Sequence, residues 1–132
     1  MKLGNRVLPY VGLLVIDIEI SFSRSLKDKR QVVRSILERV LKRWNVSAMD
    51  IGPSDSHSSV VLAFSGVGTT SEMITRRLNA VYGFVEKLEF GSEFEILDYI
   101  QEVNCYGDFP VAENKQADST GDFPAFGVQN QE

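Results

Sequence analysis

The sequence predicts an α+β domain, with one four-stranded antiparallel sheet and two helices on one of its faces. Three patterns predict it. A long run with a period of two opens the domain, two stripes of helical period lie further along, and each stripe follows a hydroxyl residue able to cap it.

Residues 11–22, VGLLVIDIEISF, alternate strictly. Leu14, Ile16, Ile18, Ile20 and Phe22 fall on one side, and Leu13, Val15, Asp17, Glu19 and Ser21 on the other. That alternation reads as a long strand with one wholly apolar face. Ser25 then opens Ser-Leu-Lys-Asp, in which the hydroxyl can accept from the amide three residues on. The helix is predicted to run to about Trp44, burying Leu26, Val33, Ile36, Leu37, Val40, Leu41 and Trp44. Asn45 ends it. Residues 46–51 read as a short strand, residues 52–56 (Gly-Pro-Ser-Asp-Ser) as a turn, and residues 59–65 as a buried strand, so the two strands form a hairpin. Gly66 and Gly68 lead into a second capping pattern, Thr69 with Glu72. The helix behind it runs to about Leu88 on a stripe of Ile74, Leu78, Val81, Val85 and Leu88. Residues 93–106 make a final strand with apolar residues on both faces. Strand, helix, strand, strand, helix, strand is the order of the ferredoxin-like architecture.

Residues 1–106 are therefore expected to form one ferredoxin-like domain. Residues 107–132 are rich in Gly, Pro, Asp, Asn and Gln without periodicity, and are expected to be a disordered acidic tail. Within it Gly107-Asp108-Phe109-Pro110 recurs as Gly121-Asp122-Phe123-Pro124. The repeat reads either as turn chemistry echoed in a biased segment or as a duplicated docking motif with a phenylalanine anchor.

Composition removes several classes. At 132 residues, 43% hydrophobic and 24% charged, the chain has ordinary globular usage. No apolar run reaches the ~20 residues of a membrane span. Lys2 and Arg6 before residues 7–16 resemble a leader, but Asp17 and Glu19 close that run and no small-x-small site follows. The lone Cys105 cannot form an internal disulfide, so a reducing cytoplasm is the expected location.

The net charge of −4 hides a strong polarity. Residues 24–44 hold eight basic residues against Asp28 and Glu38, while the tail holds five acids against Lys115. Lys27, Arg30 and Arg34 lie on one flank of the first helix, with Lys29, Arg39 and Arg43 toward the other. Such groups can neutralise phosphates. The competing reading is a solvated helix supported by Arg34–Glu38 and Glu38–Lys42 at i,i+4 spacing. The outer sheet face, with Asp17 and Glu19 and no aromatic in its first strand, does not suit base stacking. Its apolar residues suit pairing with a second copy instead.

Catalytic signals are thin. His57, the only histidine, lies in a serine-rich turn with Asp55, where neighbours in sequence rarely acquire triad geometry. Gly66-Val67-Gly68 before a helix is a weak candidate for cradling an anion. Asp17 and Glu19 lack further ligands for a metal.

Ser25-Leu26-Lys27-Asp28-Lys29-Arg30, followed by Val32, Val33 and Leu37, resembles the YlxP-like family of small bacterial proteins, a domain of unknown function. Trp44-Asn45-Val46-Ser47, the hairpin with Asp55 and His57, and Glu95-Ile96-Leu97-Asp98-Tyr99 extend the resemblance over roughly residues 10–105. The Gly52-Pro53-Ser54 turn and Ser58 and Ser59 depart from the polar-basic hairpin usual there. The resemblance implies a ferredoxin-like fold and a cytoplasmic protein. Its members are often encoded beside transcription-termination, translation-initiation and ribosome-binding factor A genes, which implies a link to RNA or ribosomes.

The expected function is that of a non-enzymatic cytoplasmic accessory protein, without cofactor or metal, that contacts RNA or a ribosomal particle. Lys27, Lys29, Arg30 and Arg34 are its expected phosphate contacts, with Asn45, Asp55 and His57 completing the binding set. The alternative is a protein–protein module that forms a homodimer through the open sheet face and docks a partner with its tail. Neither involves a membrane.

Overall fold

The computed structural model describes residues 8–91 and 93–106; the tail expected at 107–132, with both Gly-Asp-Phe-Pro copies, lies outside them. Six elements follow one another: β1 (Tyr10–Ile20), α1 (Leu26–Arg43), β2 (Ser47–Asp50), β3 (Ser59–Gly68), α2 (Ser71–Glu89) and β4 (Phe94–Cys105). The strands form one antiparallel sheet in the order β2-β3-β1-β4. This is the ferredoxin-like βαββαβ fold, with both helices packed on the same sheet face.

Alternation in the strands dictates the core. Leu14, Ile16 and Ile18 of β1 and Val60, Leu62 and Phe64 of β3 have no exposed surface. Against them α1 sets Val33, Ile36 and Val40, and α2 sets Ile74, Leu78, Val81 and Val85. Each such side chain stabilises the fold by about 1.5–3 kcal/mol relative to leaving it in water. Two residues of the expected α1 stripe are exposed, Leu26 at 39% and Leu41 at 48%, and Leu37 and Trp44 are half-buried. Leu26 and Leu41 sit at the margins of the stripe, where the edge strand β2, only four residues long, offers little to cover them.

The close approach of α2 to the sheet depends on two glycines. A Cβ on Gly12 would collide with Ile74 Cγ2 and lie 2.8 Å from Leu78 Cδ1. A Cβ on Gly68 would stand 2.8 Å from Met73 Sδ. Gly66 and Gly68 thus belong to β3, paired with Gly12 and Tyr10, and not to an anion-binding turn. The α2 cap is also displaced by one residue from expectation. Thr70, not Thr69, is the N-cap, and its Oγ1 accepts from the Met73 amide at 3.1 Å.

The end of β1 differs more sharply. The strand stops at Ile20, and Phe22 leaves the sheet with φ 59 and 92% of its surface exposed. Its place in the alternation suggested a core residue. The chain turns there toward α1, and the turn rotates the ring outward.

Candidate nucleic-acid interface

The start of α1 is fixed by a reciprocal pair of bonds. Ser25 Oγ accepts from the Asp28 amide at 3.1 Å, and Asp28 Oδ2 accepts from the Arg24 amide at 3.0 Å. The first satisfies an amide that the helix leaves open, and the second ties down the residue before the cap and places a carboxylate at the positive end of the dipole. With the first turn pinned, Lys27, Arg30 and Arg34 recur at spacings of three and four along one exposed flank.

Lys29 behaves differently from its neighbours. Expected as a phosphate contact, it is 3% exposed and turned inward. Its Nζ donates to the carbonyl of Pro53 at 2.8 Å and to that of Ser59 at 3.1 Å. The ammonium therefore ties α1 to the β2–β3 loop and is not presented to an external anion. Helical phase places Lys29 on the flank opposite Lys27, and the carbonyls of the neighbouring loop, which the phase does not report, draw it inward.

That loop is held by side chains of its own that accept from its backbone amides. The Asp50 carboxylate accepts from the Gly52 amide at 2.8 Å, and Ser56 Oγ accepts from the amides of Ser58 and Ser59. Asp55 and His57 stand exposed on it. Between this loop and the first turns of α1 lies an open cleft of about 400 Å³, lined by Lys29, Arg30, Asp50 and the backbone around Gly52 and Pro53.

Topology gathers several features at one end of the domain. Glu19, near the end of β1, pairs with Ser59 at the start of β3 and with Glu95 at the start of β4. The β1–α1 turn, the β2–β3 loop and the α2–β4 turn therefore share that end. Phe22, Lys27, Arg30, Asp55, His57 and Phe90 lie on or beside these segments, and Phe90 is 85% exposed. Arg34 continues the basic flank from there. Asn45 does not join them. It follows the far end of α1, about 27 Å away at 1.5 Å per residue, where its carbonyl accepts from Arg77 Nη1 at 3.0 Å.

Other basic residues have structural partners. The Arg43 guanidinium lies 4.6 Å from the centre of the Phe84 ring, which also meets Trp44 edge-on at 5.3 Å. Arg77 bridges the carbonyls of Asn45 and Val67. Among the described residues there is no group of three His, Cys, Asp or Glu side chains able to hold a metal, and no helix is long and apolar enough to cross a membrane.

Phe22 was the residue that pattern reading missed as a site candidate. Its signal was present but faint, since Ser21, Ser23 and Arg24 around it are polar.

Comparison with known proteins adds a family. Residues 11–100 match the family described as "Protein of unknown function (DUF503)". The chain is also similar to a Bacillus subtilis protein named "Uncharacterized protein YlxP", with 29% identity over 76 residues, covering 58% of this chain and 83% of that one.

Proposed function

This chain belongs to the DUF503 family of proteins of unknown function, and from that premise we propose that it is a non-enzymatic accessory protein that binds RNA through the flank and leading turn of α1. Lys27, Arg30 and Arg34 contact phosphates, and Phe22 stacks on an unpaired base. Asp55 and His57, exposed on the neighbouring loop, border the site and select among bases by hydrogen bonding.

The observation that carries this reading is Phe22. A phenylalanine with φ 59 and 92% exposure costs the fold in two ways, through the left-handed backbone and through an apolar ring left in water. Such a residue two positions before Arg24 and five before Lys27 supplies what recognition of unpaired RNA needs, a stacking surface beside cations. The open sheet face offers no comparable site, because no Lys, Arg or His occurs in any of the four strands.

Filter binding of single-stranded RNA at several salt concentrations tests the proposal. Three phosphate contacts give a slope of log affinity against log salt of about −2. The Lys27→Glu/Arg34→Glu variant should lose most of the affinity and most of that slope. Equal binding by the variant and the parent at low salt would overturn the reading.

A further inference from the structure

The face of the sheet turned away from the helices is open, and its composition is one-sided. Strand register puts Leu13, Val15, Met49, Val61, Ala63 and Ile100 on it. Met49 is 63% and Ile100 54% exposed, and a groove of about 270 Å³ lies beside Leu13, Met49 and Ala63. The same face carries Asp17, Glu19, Glu95, Asp98 and Glu102.

These acids are not scattered. Asp17 stands directly opposite Asp98, and Glu19 directly opposite Glu95, across the β1–β4 pair. Like charges in directly opposed positions repel and destabilise a sheet. The usual remedy is a basic residue on an adjacent strand, yet the four strands contain none. Two opposed acidic pairs beside an apolar surface, relieved where Asp98 Oδ1 accepts from the Tyr99 amide at 2.8 Å, therefore face no cation from any described strand.

From this we infer that the open sheet face docks a protein segment bearing apolar side chains flanked by Lys or Arg. Its apolar residues enter the groove at Leu13, Met49 and Ala63, and its cations lie over the Asp17–Asp98 and Glu19–Glu95 pairs. Charge complementarity selects this occupant over the others. RNA brings more negative charge to an acidic face. A second copy packing sheet on sheet brings further carboxylates and no cation, since its strands hold no Lys, Arg or His. A second copy offering its basic α1 makes a head-to-tail contact, which closes only as a ring and otherwise grows as an open filament. This surface lies in a different layer from α1, so its occupancy is independent of RNA binding.

The test uses the full chain and a synthetic peptide of alternating Leu and Lys, with a Leu/Glu peptide of equal length as control. Binding is followed through the methyl resonances of Leu13, Val15, Val61 and Ile100 in isotope-labelled protein. The Leu/Lys peptide should shift these resonances and the Leu/Glu peptide should not. The Glu95→Lys/Asp98→Lys variant converts both repulsive pairs into attractive ones, so it folds at least as stably as the parent. It should bind the Leu/Lys peptide about tenfold more weakly, the scale of two exposed charge pairs reversed in sign. Indifference of the resonances to the Leu/Lys peptide, or equal affinity in the variant, overturns the inference. So does sedimentation as a dimer whose formation shifts those methyls, which assigns the face to a second copy. Methyl shifts produced by single-stranded RNA in place of the peptide would overturn it as well. A Lys27→Glu/Arg34→Glu chain should bind the peptide like the parent, which separates this surface from the RNA site.

Discussion

The Lys29 ammonium donates to the Pro53 carbonyl at 2.8 Å across the space between α1 and the β2–β3 loop, and the same nitrogen reaches the Ser59 carbonyl at 3.1 Å. One side chain thus satisfies two main-chain acceptors, one in the loop and one at the start of β3. Replacing it by Met keeps the apolar stem and removes only the donor. The two carbonyls then lose a charged partner in a partly buried setting, at a cost of about 1 kcal/mol. Lys29→Ala should cost more, because the stem is lost too. In urea denaturation both variants should show a lower midpoint at an unchanged slope, with Ala below Met. A Lys29→Met midpoint equal to the parent's would show that the two bonds contribute nothing net.

Close packing of α2 on the sheet gives a second prediction. At Gly12 a methyl group has no room, because Ile74 and Leu78 already occupy its position. Both are wholly buried and cannot swing into solvent. Gly12→Ala should therefore destabilise by about 1–3 kcal/mol, as overpacking does in other cores. Trimming the obstruction, which is Ile74 Cγ2, should restore part of the loss, so the Gly12→Ala/Ile74→Ala pair should unfold at a higher temperature than additivity predicts. Calorimetry on the four chains of that cycle measures the coupling.

Tyr82 supplies a pH dependence. Partial burial, followed in size by the negative charges of Glu86 and then Tyr99, Glu89 and Asp98, holds its phenol above the usual value of 10.0. The Tyr99 ring, tilted against it at 4.2 Å, contributes to that burial. A raised folded-state pKa means that the native protein keeps the proton longer than the unfolded chain does. The resulting stability is complete below pH 10 and is lost as pH rises through the folded value. Tyr82→Phe should abolish this part of the alkaline loss. The difference in absorbance titration near 295 nm between parent and variant should show one phenol ionising above the ordinary range.

How much of this was legible in the sequence depends on which force decided each residue. Periodicity reports burial, and the buried stripe of α2 appears in the structure as Ile74, Leu78, Val81 and Val85, all without exposed surface. Capping chemistry is local, so Ser25 and Asp28 could be read directly, and the second cap was missed by only one residue. Lys29 and Leu41 were misjudged because the helical phase fixes which side a residue takes, whereas the neighbouring loop and the short edge strand decide what covers it. The like-charged pairs on β1 and β4 were invisible for a related reason. Asp17 and Asp98 lie far apart in sequence, and only the register, with its irregularity after Asp17, sets them face to face. Of the residues first grouped as a binding set, Lys27, Arg30, Asp55 and His57 share one end of the domain, while Asn45 lies at the other.

Phe22 separates function from architecture. Its ring is almost wholly in solvent, so removing it costs little burial, while its φ of 59 is one that glycine adopts without strain. Phe22→Gly should therefore leave stability unchanged or raise it by up to about 1 kcal/mol, the left-handed strain relieved being partly offset by the freedom glycine gives the unfolded chain. If the ring stacks on a base, the same substitution should weaken RNA binding by about 5- to 150-fold, the range for loss of a single stacking platform. Phe22→Trp should retain affinity. Thermal unfolding and filter binding on the same three chains read the two effects separately. A residue retained only for packing would lose stability and leave binding untouched, which is the reverse of the outcome expected here.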